Sequence, residues 1–580
     1  MKLLFEYPFQ AKELFINRKS LKKSLFKSLL PSSAKLKIAL LGGSTTSDIK
    51  QVIELMLLSA GIIAEFFESD YNRYAEIVLF ESGPLWAFQP DIIYIHTTCR
   101  NINFCETSEI NFQKYLNIWD SIKSNSNAII VQNNFEELPI RTNGNLELST
   151  ASSAGKIVNE LNSLFSAHVV GQRGFYLNDI KYLSTFVGTS NWFDAAYWNN
   201  YKIPYGTSYT PYVARSVFSI ILAHLGKSKK CLVLDLDNTL WGGVIGDDGI
   251  NGISIGKGNA QGEAYLDFQR YVKSLAVRGV LLAICSKNDF ETAKEAFSHP
   301  DSVLKFSDFS SFQANWEPKT DGLRRIAQEL NVGLDSLVFI DDNPVERDWV
   351  RKQLHMVSVP EIGSDVSNYS RHIDINGYFE SAKILKEDIE KVSHYADNKK
   401  REASESQFDT YNDFLLSLDM VSRIATFDDQ NIDRITQLVN KTSQFNLTGK
   451  HFAPQELIGR MNSPSYISFY GRLRDKFGDN GLVSVVSGSI CDQTVSIDLW
   501  VMSCRVVKRD FEYAMFDQFV AFCIKLDIKN IVGVYIETNR NGLVGDLYAR
   551  LGFKQTSKSE WLLTDINNCK NTNAIIKVEL

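Results

Sequence analysis

The chain has 580 residues, 44% of them hydrophobic and 22% charged, and a formal net charge of −6. That length exceeds what one hydrophobic core serves, so several domains are expected, and the acidic balance argues against nucleic acid as the main partner. Eight cysteines without close pairs indicate neither a zinc site nor a disulfide framework, and there is no apolar run of leader or membrane-span length. The expectation is a reduced, cytoplasmic enzyme without a membrane span.

In chain order, the first feature is a basic stretch from Leu14 to Leu30, where Leu21, Leu25 and Leu29 recur at helical spacing among Arg18, Lys19, Lys22, Lys23 and Lys27. It reads as an amphipathic helix with a solvated basic face; docking of an acidic carrier or a membrane surface is the sharper alternative. A buried strand over Lys35–Leu41 then runs into Gly42-Gly43-Ser44-Thr45. Helical and strand-like runs alternate after it at Gln51–Ala64, Ile92–His96, Phe112–Ser126 and Ala128–Gln132. This predicts an α/β domain over residues 1–215.

A second alternating unit, over residues 228–365, carries the chemistry. The apolar run ending at Leu234 leads into Asp235 and Asp237, which strand alternation places on one side with Leu236 turned away. One carboxylate can attack phosphorus while its neighbour handles a proton. The strand Val280–Cys285 ends in the hydroxyl of Ser286, suited to a phosphoryl oxygen. Lys319 stands ahead of the helical run Gly322–Leu330, where its ammonium can neutralise phosphoryl charge. The strand from Ser336 to Ile340 ends in Asp341 and Asp342. With Asp235 these can hold Mg²⁺, a hard ion that takes oxygen ligands. The stretch between Ser286 and Lys319 leaves no room for a folded cap, so the site is expected to be open to a large acceptor.

Residues 366–418 read as a charged helical linker. The last domain, 419–580, has strands at Leu482–Ser487, Val495–Met502 and Asn530–Glu537, and a helix over Glu512–Leu526.

The four strand-end and helix-start motifs together resemble the haloacid dehalogenase (HAD) superfamily. The resemblance implies Asp235 as phosphoryl-accepting nucleophile and Asp237 as general acid/base. It makes Thr239, Ser286 and Lys319 the phosphate-binding residues, and it places Mg²⁺ among Asp235, Asp237, Asp341 and Asp342. Longer motifs are similar to the FkbH-like proteins, subfamily IIIC of that superfamily: Asp235–Gly249, Cys285–Asn288, Ile340–Arg347, Asn440–Thr448 and Asp475–Leu482. That family implies a three-domain α/β chain: an SGNH-hydrolase-like α/β domain, a capless Rossmann-like HAD domain with a parallel sheet, and a GNAT-like α+β domain. Its implied activity moves a glyceryl or related acyl group from an acyl phosphate such as 1,3-bisphosphoglycerate to the phosphopantetheine thiol of an acyl carrier protein. Asp235 attacks phosphorus and a thiolate captures the glyceryl group as a thioester. The partners implied are therefore that carrier and a phosphorylated three-carbon donor. The alternatives are a phosphatase with water as acceptor, and a GNAT-type transfer of an acyl group to a surface sugar.

The resemblance leaves further residues open. Cys285 is the first candidate for a cysteine relay, although alternation turns it away from the face of Ser286; Cys504 is the second. Ser44 stands where an SGNH nucleophile would, but the late sequence Asp194-Ala-Ala-Tyr197 lacks the usual histidine, leaving His96 and His168 as substitutes. In the last domain Cys504, Arg505, Asn539 and Tyr548 are the candidate acyl and pantetheine contacts. The stretch Arg505–Asp510 lacks the glycines of a phosphate loop, which favours carrier-bound phosphopantetheine over coenzyme A.

Overall fold

The computed structural model describes residues 2–29, 34–80, 83–389, 397–398, 401, 404–405, 407–538, 540–569 and 571–579. They form two compact units, residues 1–223 with 372–382 and residues 224–371 with 383–580. No helix among the described residues is long and apolar enough to cross a membrane.

Five parallel strands organise the first unit: β1 (Ala34–Gly42), β2 (Ile62–Glu68), β3 (Ile92–His96), β4 (Ile129–Asn133) and β5 (Phe175–Asn178), in the order β2-β1-β3-β4-β5. β3 and β4 are buried along their whole length, as runs of Ile and Val in a two-faced parallel sheet require. The helices are α1 (Ala11–Lys27), α2 (Ser47–Ser59), α3 (Ser108–Asn125) and α4 (Ala154–Val169). Thr107 starts α3 by accepting the Ile110 amide, and Tyr115 and Trp119 of α3 meet Phe165 of α4 in the core. In α1, Leu14, Leu21 and Leu25 are buried while Lys19, Lys23 and Lys27 are exposed, which is the face division that the leucine spacing anticipates.

The second unit holds two sheets. One is the parallel sheet of β6 (Cys231–Leu234), β7 (Leu281–Ser286), β8 (Phe309–Ala314) and β9 (Leu337–Ile340), in the order β8-β7-β6-β9. Its helices include α5 (Ile245–Gly252), α6 (Ala260–Val277), α7 (Lys319–Glu329) and α8 (Pro344–Gln353). Between β7 and α7 lie short helical turns and β8, which joins the sheet, so the domain carries no cap there.

The other sheet has eight strands. They are β10 (Val421–Thr426), β11 (Tyr466–Asp475), β12 (Gly478–Cys491), β13 (Thr494–Met502), β14 (Asn530–Val534), β15 (Lys554–Gln555), β16 (Glu560–Thr564) and β17 (Lys577–Glu579). The sheet is mixed: β10 to β13 run antiparallel in sequence, whereas β13 and β14 are parallel. α9 (Ile432–Lys441), α10 (Pro454–Asn462) and α11 (Phe511–Lys525) complete it. The two sheets are joined closely at Gly226, whose φ is +65°. A Cβ there would lie 2.1 Å from the Asn440 carbonyl oxygen, so only glycine permits the approach.

One buried ion cluster fixes the start of β12. Asp475 accepts Arg401 Nε at 2.9 Å and Nη2 at 2.8 Å, and Arg509 Nη1 at 2.9 Å, with its own side chain wholly buried. Asp475→Asn removes the counter-charge that two buried guanidinium groups share, at a cost of about 3–5 kcal/mol. Urea unfolding followed by tryptophan fluorescence should show a lower midpoint for the variant, and an unchanged midpoint would refute this role.

Candidate active site

The parallel sheet of the second unit brings its acidic residues together at one edge. Asp235 follows β6 directly, and its amide donates to the Ile340 carbonyl at 2.9 Å, continuing the ladder to β9. Asp341 and Asp342 follow β9. Side-chain oxygens of Asp235, Asp341 and Asp342 all lie within 4.8 Å of one another. Lys319, the first residue of α7, inserts among them. Its ammonium is 2.8 Å from Asp235 Oδ2 and also pairs with Asp341 Oδ2.

The electrostatics follow from burial. Burial raises the Asp341 carboxyl far above the usual carboxylate range, and repulsion from Asp235 adds to the shift. Asp342 moves the same way for the same causes. Burial opposes the Lys319 charge, but Asp235 and Asp341 outweigh it and hold the ammonium above the usual lysine range. Asp235 Oδ1 is buried and has no hydrogen-bond partner among the described residues. An orphaned carboxylate oxygen beside two further carboxylates is a donor set for a hard divalent cation, and Mg²⁺ fits it.

The phosphate-binding candidates stand around this corner. The Thr239 hydroxyl accepts the Asp342 amide at 3.1 Å. Ser286, at the end of β7, accepts Asn288 Nδ2 at 3.1 Å. Asp237 is placed differently from the expectation that it shares the metal. It lies outside the three-carboxylate group, and donors take up its oxygens: Trp241 Nε1 at 2.9 Å and the Ile245 amide at 3.0 Å on Oδ1, and Asn288 Nδ2 at 2.8 Å on Oδ2.

Cys285 does not face the site. It packs in the core with Leu323 and Ile326, its thiol donates to the Lys319 carbonyl at 3.5 Å, and burial pushes it up to about 12. A thiolate relay through Cys285 does not fit that placement.

Two residues escaped the sequence reading. Asn288 links Asp237 to Ser286, and only its place in the Cys285–Asn288 motif signals it. Arg347, which is buried, donates to the carbonyls of Asp341 at 2.8 Å and Asp342 at 2.7 Å and pairs with Glu361, fixing the acidic loop from behind.

In the first unit, Ser44 Oγ and His96 Nδ1 are 3.1 Å apart, and His96 Nε2 is 3.1 Å from the Tyr205 hydroxyl. All three residues are buried. The neighbouring amides are engaged, Gly43 N–H with the His96 carbonyl and Thr45 N–H with the Lys202 carbonyl, so those two donate nothing to an oxyanion. His168 is elsewhere, stacked on Trp119.

Of the last domain's candidates, Asn539 lies outside the described residues. Tyr548 is buried against Gly533, Trp500 and Phe553. Cys504 and Arg505 follow β13, and the Cys504 carbonyl accepts Asn331 Nδ2 at 3.3 Å.

Residues 37–222 match the family model of the FkbH N-terminal domain. A solved structure described as the N-terminal part of the protein BF1531 from Bacteroides fragilis, containing a phosphatase domain complexed with Mg, is 32% identical. The match covers 63% of this chain and 99% of that one, with a TM-score of 0.59. The chain belongs to the FkbH-like proteins. It is an enzyme of the HAD type. Two N-acetyltransferases resemble it distantly. The ribosomal-protein-S18-alanine enzyme of Escherichia coli is 9% identical over 25% of this chain and 94% of its own, with a TM-score of 0.21. PaiA of Thermoplasma acidophilum, in complex with coenzyme A, is 11% identical over 24% and 96%, with a TM-score of 0.20. Likeness at that level says nothing of function. No curated protein matches the chain.

Two outcomes follow from this geometry. Asn288→Ala should lower kcat for release of phosphate from a small phosphate ester about 10- to 100-fold, the worth of a hydrogen bond to a charged group, with KM little changed; an unaltered kcat refutes the positioning role. The second concerns His96, which burial lowers to about 4. The unfolded imidazole takes its proton near 6.5, so protonation favours the unfolded chain: His96 leaves stability intact above pH 6.5 and costs stability as pH falls towards 4. Thermal unfolding between pH 7 and 5 should show a shallower loss of Tm for His96→Gln than for the wild type. An identical slope refutes the shift.

Proposed function

We propose that this protein is a Mg²⁺-assisted transferase that moves a glyceryl or related acyl group from a doubly phosphorylated three-carbon donor to the phosphopantetheine thiol of an acyl carrier protein. The observation that carries the phosphoryl part is the convergence of Asp235, Asp341, Asp342 and Lys319 at one uncapped sheet edge. Asp235, Asp341 and Asp342 are the residues that would hold Mg²⁺, which supplies neutralisation of the phosphoryl oxygens.

Electron counting refines the route that the family resemblance implies. Attack on phosphorus at an acyl phosphate frees a carboxylate and forfeits the activation that a thioester needs. The two phosphates of the donor must therefore meet different nucleophiles. Asp235 takes the phosphoryl group from the phosphate ester, with Asp237 handling the proton of the departing alkoxide oxygen, and water then attacks the phospho-aspartate at phosphorus to release inorganic phosphate and restore the carboxylate. The carrier thiolate attacks the acyl carbonyl and expels inorganic phosphate. Thr239, Ser286 and Lys319 hold the phosphoryl oxygens. No enzyme cysteine is required, in keeping with the buried Cys285.

A second reading is a phosphatase in which water is the only acceptor. The phosphatase domain named for the Bacteroides fragilis protein favours it.

The two are separated by intact-protein mass spectrometry of a candidate carrier incubated with enzyme and 1,3-bisphosphoglycerate. Wild type should yield a glyceryl carrier, whereas Asp235→Asn should yield a carrier that retains the phosphate ester. A glyceryl carrier from Asp235→Asn refutes the nucleophile, and phosphate release with no acylated carrier favours the phosphatase.

A further inference from the structure

β13 and β14 pair in parallel over Thr494–Ile497 and Asn530–Gly533. β13 runs on to Met502, whereas its ladder with β14 ends at Ile497 and Gly533. Such a divergence leaves outward-facing backbone groups in the interior of the domain, where an unpaired amide or carbonyl is costly. Here they are paired, and the partner is a distant part of the same chain. Leu447 N–H donates to the Trp500 carbonyl at 3.1 Å, and Met502 N–H donates to the Phe445 carbonyl at 3.0 Å. The Thr448 hydroxyl donates to the Asp498 carbonyl at 3.0 Å. On the other flank, Ile536 N–H donates to the Leu447 carbonyl at 2.8 Å. Asn446 bridges antiparallel to Val501, and the buried Asn541 amide holds the Asn446 carbonyl at 2.8 Å.

We propose that the opening between β13 and β14 is a strand-addition site whose occupant is the chain's own Phe445–Thr448 segment. Alternate groups along the open edge of β13, at positions 498, 500 and 502, are taken by this segment. An extended amide-bearing arm, whether a peptide or pantetheine, would need those same groups. Phe445 and Leu447 are also buried in the domain core, so the segment is held by its side chains as well as its backbone. The turn ahead of α11 offers an anion little, because Arg509 is already bound to Asp475.

The filled slot has a positive role. α9 leads directly into the segment, and its last turn lies on the domain that carries Asp235: the Asn440 carbonyl rests on Gly226, and the Lys441 carbonyl accepts Lys230 Nζ at 3.4 Å. Asn541, which clamps the segment, neighbours Arg540, which pairs with Asp335 ahead of β9. The segment thus fastens the C-terminal sheet to the phosphoryl-transfer sheet. This inference does not rest on the glyceryl reading. If that reading holds, the carrier thiol reaches the donor outside this slot.

Hydrogen exchange of the full chain tests it. The amides of Leu447, Met502 and Ile536 should exchange as slowly as those of Val485 and Val501. Millimolar coenzyme A or pantetheine should leave them unchanged. In Asn541→Ala, which removes the side-chain bonds to the Asn446 and Ile536 carbonyls and to the Thr538 amide, exchange at Leu447 and Met502 should quicken at least about tenfold relative to Val485. Rapid exchange at Leu447 and Met502 in the wild type, or added protection over residues 498–502 with either thiol, overturns the proposal. So does an Asn541→Ala effect that is absent or uniform across the sheet.

Discussion

Three carboxylates gathered at one buried corner carry more negative charge than the single ammonium beside them offsets. Asp235, Asp341 and Asp342 supply three charges when ionised and Lys319 returns one. Arg347 does not close the gap, because its guanidinium is directed to backbone carbonyls and to Glu361. Like charges a few ångströms apart in a partly buried site repel by several kcal/mol. The raised Asp341 and Asp342 carboxyls express that repulsion together with desolvation. A remainder of about two negative charges matches one divalent cation, and the orphaned Asp235 Oδ1 marks where a ligand atom is wanting a partner. The rest of the domain serves this corner. Flush apolar strands set the carboxylates side by side, α7 starts at the lysine, and the loop after β9 is pinned by an arginine from behind.

How far the sequence disclosed this depends on how local each signal is. Asp235, Ser286, Lys319, Asp341 and Asp342 were legible because each ends an apolar strand or opens a helix, and a parallel sheet collects such ends without further information. The direction of Asp237 was not legible. Alternation along an ideal strand puts it beside Asp235, but β6 ends at Leu234 and the chain turns, with Asn238 at φ +54° and Trp241 folded back onto the Asp237 carboxylate. A turn breaks the period on which that reading relied. Ser44 and His96 illustrate a limit at longer range. The sequence offers His96 and His168 alike as substitutes for a late histidine, and only the pairing of His96 in register with Gly42 on the adjacent strand separates them. In the last domain, strand Asn530–Glu537 was expected as one run, and β14 stops at Val534 where its neighbours change: Tyr535 turns to Ser559 and Ile536 to Leu447. Composition carries no trace of which strand edge a distant segment will cover.

The flanking sites differ from the central one in how their polar groups are spent. At Ser44 the hydroxyl is bonded to the His96 imidazole, the imidazole to Tyr205, and the adjoining amides to the His96 and Lys202 carbonyls. Between β13 and β14 the open edge is consumed by Phe445–Thr448. Satisfied groups stabilise a structure but do not solicit a ligand, since a newcomer must first displace an existing partner. At the phosphoryl corner a carboxylate oxygen is left without one. The cation site is therefore assigned where the fold leaves a carboxylate oxygen without a partner among the described residues, and support is assigned to Ser44 and the open edge of β13.

An uncapped site faces a selectivity problem that a lidded one avoids. Nothing in the stretch between β7 and α7 folds over the corner, so water, which has to reach a phospho-aspartate to restore Asp235, reaches an acyl phosphate as easily as a larger acceptor does. Binding the small donor more tightly does not help, because it favours both fates alike. The acceptor must win by proximity. A thiol delivered on a tethered arm from a docked protein has an effective concentration on the order of millimolar, and as a thiolate it is far more nucleophilic towards a carbonyl than water. Under the glyceryl reading, then, carrier docking has to precede or accompany donor capture, and the surface around the acidic edge performs the exclusion that a cap performs elsewhere. Under the phosphatase reading that demand vanishes, and the same openness is simply access for water.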